Sequence, residues 1–68
     1  MDLGQRLKNL RKENNLSQQE LGDKLGVKYS AVSKWERNEN TPPLKIMYKL
    51  TKLYDTTYDE ILEDIVFD

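Results

Sequence analysis

Residues 16–38 read Leu-Ser-Gln-Gln-Glu-Leu-Gly-Asp-Lys-Leu-Gly-Val-Lys-Tyr-Ser-Ala-Val-Ser-Lys-Trp-Glu-Arg-Asn, and the start and stop signals inside them decide the fold. Ser17 and Glu20 form a capping box, in which hydroxyl and carboxylate each satisfy a backbone N–H that the first helical turn leaves unpaired. Leu16, just before the box, is placed to staple onto Leu21. Gly26 is a natural left-handed stop, so this second helix of the chain is short, about residues 18–25. Val27 follows at once, and Ala31, Val32 and Trp35 at helical spacing give a third helix over about residues 29–37. Asn38 can take the left-handed position that ends it. Gly22, inside the second helix, costs roughly 1 kcal/mol against Ala. Its missing side chain lets the two helices approach closely.

Outward from this stretch the same helical pattern continues. Leu3, Leu7 and Leu10 mark a first helix over about residues 2–13, with Asp2 at the positive end of its dipole and Asn14-Asn15 as its breaker. After the polar loop Glu39-Asn40-Thr41, the residue before a proline avoids helical backbone, so Pro42 stays outside and Pro43 starts a fourth helix. That helix spans about residues 43–54, with Leu44, Met47, Leu50 and Tyr54 on its apolar side. Thr57 and Glu60 form a second capping box, opening a fifth helix over about residues 58–64 with Ile61, Leu62 and Ile65 inward. The expected fold class is all-α, a compact five-helix bundle in one domain spanning residues 1–68.

Composition removes several functions. The 68 residues contain no Cys and no His, so disulfides, thiolate zinc sites and imidazole catalysis are excluded, and no metal or cofactor is expected. No motif activates a nucleophile among the Ser, Lys, Tyr and acidic residues, so the chain reads as a non-enzyme. The longest apolar runs, Ile46-Met47-Tyr48 and Ile65-Val66-Phe67, are far shorter than the ~20 residues that span a bilayer. The first helix is charged and amphipathic, unlike a secretory signal, and a soluble cytoplasmic protein is expected. Net charge is only −1, but it is unevenly spread. All 11 Lys and Arg lie between Arg6 and Lys52; residues 1–54 hold six acids and net +5, residues 55–68 hold the other six and net −6. Such asymmetry suggests a body that binds polyanions with an acidic end, although ordinary solvated helix faces would give similar counts.

Two helices joined by a short turn containing Gly constitute a helix-turn-helix. Here Leu21, Leu25, Val27, Val32 and Trp35 can form the shared core, leaving Lys28, Tyr29, Ser30, Ser33, Lys34 and Arg37 on the outer face of the third helix. Leu16-Ser17-Gln18 with Glu20-Leu21, then Leu25-Gly26-Val27, Ser33-Lys34-Trp35-Glu36-Arg37 and Tyr58-Asp59-Glu60-Ile61-Leu62 occur in one order and spacing. In these segments the chain resembles the phage-repressor type of helix-turn-helix, the Cro/cI or XRE-like family. The likeness runs from the first helix to Leu62.

The resemblance implies a lambda-repressor-like domain that binds double-stranded DNA, with the third helix in the major groove and the second across the backbone. Base contacts would fall to Lys28, Tyr29, Ser30, Ser33 and Lys34; Gln18 would bind a phosphate, with Arg37, Asn38, Asn40 and Lys45 as further backbone contacts. It also implies an ion pair between Arg11 and Glu36. Three positions depart from the family pattern. Lys28 stands where a Ser or Thr usually caps the third helix, so either that cap is absent or the helix start is shifted; Gly22 replaces an Ala and Asn38 a Gly.

Trp35 shares its phase with Val32 and belongs in the core rather than on a base, whereas Tyr29 on a polar face reads as a contact residue. Tyr48 and Tyr58 are expected to pack. Ile65 and Phe67, at an end that could also fray, suit a partner subunit. The leading expectation is a sequence-specific transcriptional regulator, a repressor binding a palindromic operator as a homodimer, with no small-molecule ligand. The alternative is a protein-interaction module, antitoxin-like or adaptor, holding a protein partner on the same fold. A nonspecific architectural binder fits the low net charge poorly.

Overall fold

The computed structural model describes residues 1–67, and every regular element among them is a helix. The elements are α1 Leu3–Glu13, α2 Gln18–Leu25, α3 Tyr29–Glu36, α4 Leu44–Leu53 and α5 Tyr58–Leu62, so the expected five-helix architecture holds. None is long and apolar enough to cross a membrane.

Caps set the boundaries. Asp2 is the N-cap of α1 rather than its first residue, its carboxylate accepting the Gln5 N–H at 2.8 Å, which holds its pKa below the usual carboxylate value. Both halves of the Ser17–Glu20 box form, and Gly26 closes α2 at φ +76°. Asn15 and Asn38 take φ near +60°, the left-handed turns expected of Asn. Pro43 is the N-cap of α4, extended at ψ 157°, instead of its first residue; its carbonyl accepts from Ile46 and Met47. Tyr54 is the C-cap of the same helix.

The fifth helix corrects the sequence reading most. It ends at Leu62, not residue 64, because Glu63 is extended and Asp64 left-handed. Continuing the helix would need the Glu60 and Ile61 carbonyls for backbone N–H groups four residues on. The Arg6 guanidinium takes them instead, at 2.7 and 3.0 Å, and adds the Glu63 carbonyl at 2.8 Å. Ile65 therefore lies outside α5. The Thr57–Glu60 box is also only half built: Thr57 Oγ1 accepts the Glu60 N–H, but donates to the Glu60 carboxylate in place of the return bond to its own amide.

Leu7, Leu21, Leu25, Val32, Trp35, Ile46, Met47, Leu50 and Ile61 form the buried core, with Leu3, Leu10, Leu16, Val27, Ala31, Tyr54 and Leu62 packed around it. In α4 the phase differs from expectation. Ile46, Met47, Leu50 and Thr51 face inward, so Leu44 is 76 % exposed and Tyr48, one turn further, 55 %. Neither Tyr48 nor Tyr58 is a packing residue; both are exposed.

Two glycines fix where α3 sits. A Cβ on Gly22 would stand 2.7 Å from the Val27 carbonyl oxygen and 3.3 Å from the Tyr29 nitrogen, so α2 supports the start of α3 at backbone contact. A Cβ on Gly4 would stand 2.5 Å from the Glu36 carbonyl, and α1 supports the other end in the same way.

Candidate nucleic-acid interface

With α3 clamped at both ends, its outer side is set by phase alone. Val32 and Trp35 are buried, and Tyr29, Ser30 and Lys34 are exposed, with Ser33 half-buried at the edge of that row. Lys28 is the exposed N-cap of α3 at ψ 151°, making no side-chain cap bond. Of the two alternatives the sequence left open, the cap is absent and the helix start is not shifted. No acid occurs from Lys24 through Trp35, so the face carries only positive formal charge.

Gln18 is the first residue of α2, and its side-chain amide donates to Glu36 Oε1 at 3.2 Å. Glu36 is also bound by Arg11, through Nε to Oε2 at 2.7 Å and Nη2 to Oε1 at 3.0 Å. Arg11 Nη1 donates to the Leu16 carbonyl at 2.8 Å. The pair is buried, and the Glu36 carboxylate raises the Arg11 pKa, chiefly through the hydrogen bond. One ion pair thus joins α1, the entry to α2 and the end of α3.

The remaining residues of the candidate set do not form a single row. Arg37, the C-cap of α3, is exposed and paired with Glu39 at 2.7 Å, a surface pair worth under about 1 kcal/mol. Asn38 is exposed, and its Oδ1 accepts the Gly4 N–H at 2.9 Å, which ties the turn after α3 to the start of α1. Asn40 is exposed in the loop, with its N–H on the Lys34 carbonyl at 3.4 Å. Lys45 is exposed in the first turn of α4. Ile65 is half-buried and Phe67 exposed, and both line a groove of about 380 Å³ with Leu3, Trp35, Asn40 and Thr41. The sequence reading missed Arg6 and Gly4, whose partners lie more than thirty residues away.

The helix-turn-helix family model matches residues 7–61, and the chain belongs to that family, in its XRE or phage-repressor type. The structure of the P22 c2 repressor in complex with a synthetic operator is similar at TM-score 0.83 and 32 % identity, covering 93 % of this chain and 96 % of that one. The structure of SinR, master regulator for biofilm formation, in complex with DNA is similar at TM-score 0.79 and 37 % identity, covering 90 % and 98 %. Among curated relatives, the transcriptional activator BcrR of Enterococcus faecalis is 34 % identical over 62 residues, 91 % of this chain but 30 % of BcrR. The chain likewise spans 57 % of SinR of Bacillus subtilis. It therefore corresponds to part of these relatives' length, the part with the fold of repressor DNA-binding domains.

Proposed function

We propose that the chain is a sequence-specific DNA-binding regulator of transcription, a repressor that recognises a two-fold operator as a homodimer. The observation carrying this reading is the exposed row Lys28, Tyr29, Ser30 and Lys34 on a helix whose both ends rest on backbone, beside Gln18 at the start of α2. A rigid helix with polar and cationic side chains on one side suits the major groove, where base edges present donors and acceptors. Lys28, Tyr29, Ser30, Ser33 and Lys34 read bases in this proposal; Gln18, Arg37, Asn38, Asn40 and Lys45 hold phosphates, Arg37 after its weak pair with Glu39 opens.

Selection of bound sites from random duplex DNA tests it. The expected product is a two-fold related motif with half-sites about one turn, ~34 Å, apart. Its affinity should fall steeply with salt: neutralising about 6–10 phosphates gives a slope of roughly −5 to −9 in log K against log salt. A slope near zero, or no recovered motif, overturns the reading.

A further inference from the structure

The chain carries two exposed surfaces that are complementary in charge and both partly apolar. The first is the outer side of α4. This helix has no acid, and its exposed cations are Lys45 and Lys52; Lys49 is half-buried, its ammonium donating to the Leu25 carbonyl at 3.0 Å. Leu44 and Tyr48 stand exposed one turn apart, and Lys52 lies 5.3 Å from the centroid of the Tyr48 ring. The second is the end of the chain. Residues 55–68 hold six acids and no base, and Val66 and Phe67 are 70 % and 66 % exposed.

Within one chain, among the described residues, no ion pair joins the two. The ion pairs among the described residues are Arg11–Glu36 and Arg37–Glu39, so no lysine of α4 is paired with an acid of the C-terminal segment. That segment is nevertheless held in place. Arg6 binds three carbonyls at its start, and the Val66 N–H donates to the Met1 carbonyl at 3.2 Å. An apolar segment fixed before it meets a partner loses little conformational freedom on docking.

We propose that α4 of one copy receives the C-terminal segment of a second copy, Val66 and Phe67 lying on Leu44 and Tyr48, with Glu63 beside Lys52. The second copy is the occupant because the same chain supplies both halves. In a two-fold contact each half is used twice, residue i meeting j and j meeting i. The cationic helix and the acidic segment attract in that arrangement, whereas α4 against α4, or segment against segment, sets like charges together. The inference rests on the homodimer reading above and names the surfaces that make the dimer.

Sedimentation of the full chain without DNA, at low salt, tests it apart from operator recognition. Lys52→Glu and Glu63→Lys should each weaken dimerisation at least tenfold. An equimolar mixture of the two variants should restore it, since the mixed pair contains one native and one reversed contact, both attractive. Leu44→Asp lies too far from the core to unfold the chain and should also give monomers. Dimerisation of Lys52→Glu and Leu44→Asp at the wild-type level overturns this surface while leaving the homodimer standing. A mixture no stronger than either variant alone does the same. A wild-type chain that stays monomeric at every concentration overturns both the surface and the homodimer reading.

Discussion

The side-chain amide of Gln18 rests on the carboxylate of Glu36, the same carboxylate that Arg11 holds from the other side. One of the two amide N–H bonds is thereby committed inward, which leaves the other for an outside acceptor and fixes which end of the amide lies against α3.

Removing Glu36 should therefore be costly in two ways. Glu36→Ala leaves the buried Arg11 guanidinium without its counter-charge and should destabilise the fold by about 3–5 kcal/mol in denaturant unfolding. Glu36→Gln keeps an acceptor for Gln18 and should lose less. A loss below about 1 kcal/mol for the alanine variant would mean the pair behaves as a solvent-exposed one.

Reading and positioning should separate at Lys34 and Gln18. Lysine donates to the acceptors of guanine, so Lys34→Ala should lose about 1–3 kcal/mol on the best operator and flatten the preference at one base pair of each half-site. Gln18→Ala should weaken all sites by similar factors, because phosphate contacts carry no direct sequence information. Affinities of both variants across single-base operator changes decide it. A changed base preference in Gln18→Ala alone would reverse the roles of α2 and α3.

Gly22→Ala has an unusual sign. In an unobstructed helix interior the exchange stabilises by about 1 kcal/mol. Here the new methyl would meet the Val27 carbonyl at 2.7 Å, and backbone cannot swing aside as a flexible side chain can. The turn must shift, and the net effect should be a loss of about 1–3 kcal/mol. Tyr29 moves with the turn, so site selection with this variant should show an altered preference at the base pair Tyr29 faces. A stabilised variant with unchanged preference would contradict the close approach.

Tyr54 sets an alkaline limit. Its hydroxyl is buried without a hydrogen-bond partner among the described residues, and burial, reinforced by the Glu36 charge and opposed by Arg11, pushes its pKa up to about 12. The folded chain then holds this proton more tightly than the unfolded chain, whose value is 10.0. The contribution is fully present below pH 10 and is lost as the pH rises towards 12. Tyr54→Phe should flatten that limb of the stability profile. At neutral pH it should stabilise by about 1 kcal/mol, since an unsatisfied hydroxyl leaves the interior. Destabilisation instead would reveal a partner for the hydroxyl.

Local signals were legible in the sequence and distant ones were not. The capping box at Ser17 and Glu20, the stop at Gly26 and the phase of Val32 and Trp35 depend on neighbours within one or two turns, and α2 has its expected bounds. The end of α5 depends on Arg6, 54 residues from Glu60, and no periodicity announces that an arginine will take a helix's last carbonyls. Leu44 misled for a related reason: it fits the spacing of Met47 and Leu50, but Ile46 supplies the buried side. In the candidate site the row on α3 followed from phase, whereas the engagement of Asn38 with Gly4 and of Gln18 with Glu36 required the helices to be brought together.

The bond from Val66 to Met1 places the two ends of the described chain side by side. The order in which the helices follow one another is therefore separable from their arrangement in space. A flexible linker could join the last residues back to Met1, with the chain reopened in the turn at Asp55 and Thr56, and α5 would then precede α1. Arg6 and the carbonyls it grips would be separated by the linker and ten to thirteen residues. A contact that now closes a loop of nearly the whole chain would become a local one, the kind that forms early and quickly in folding.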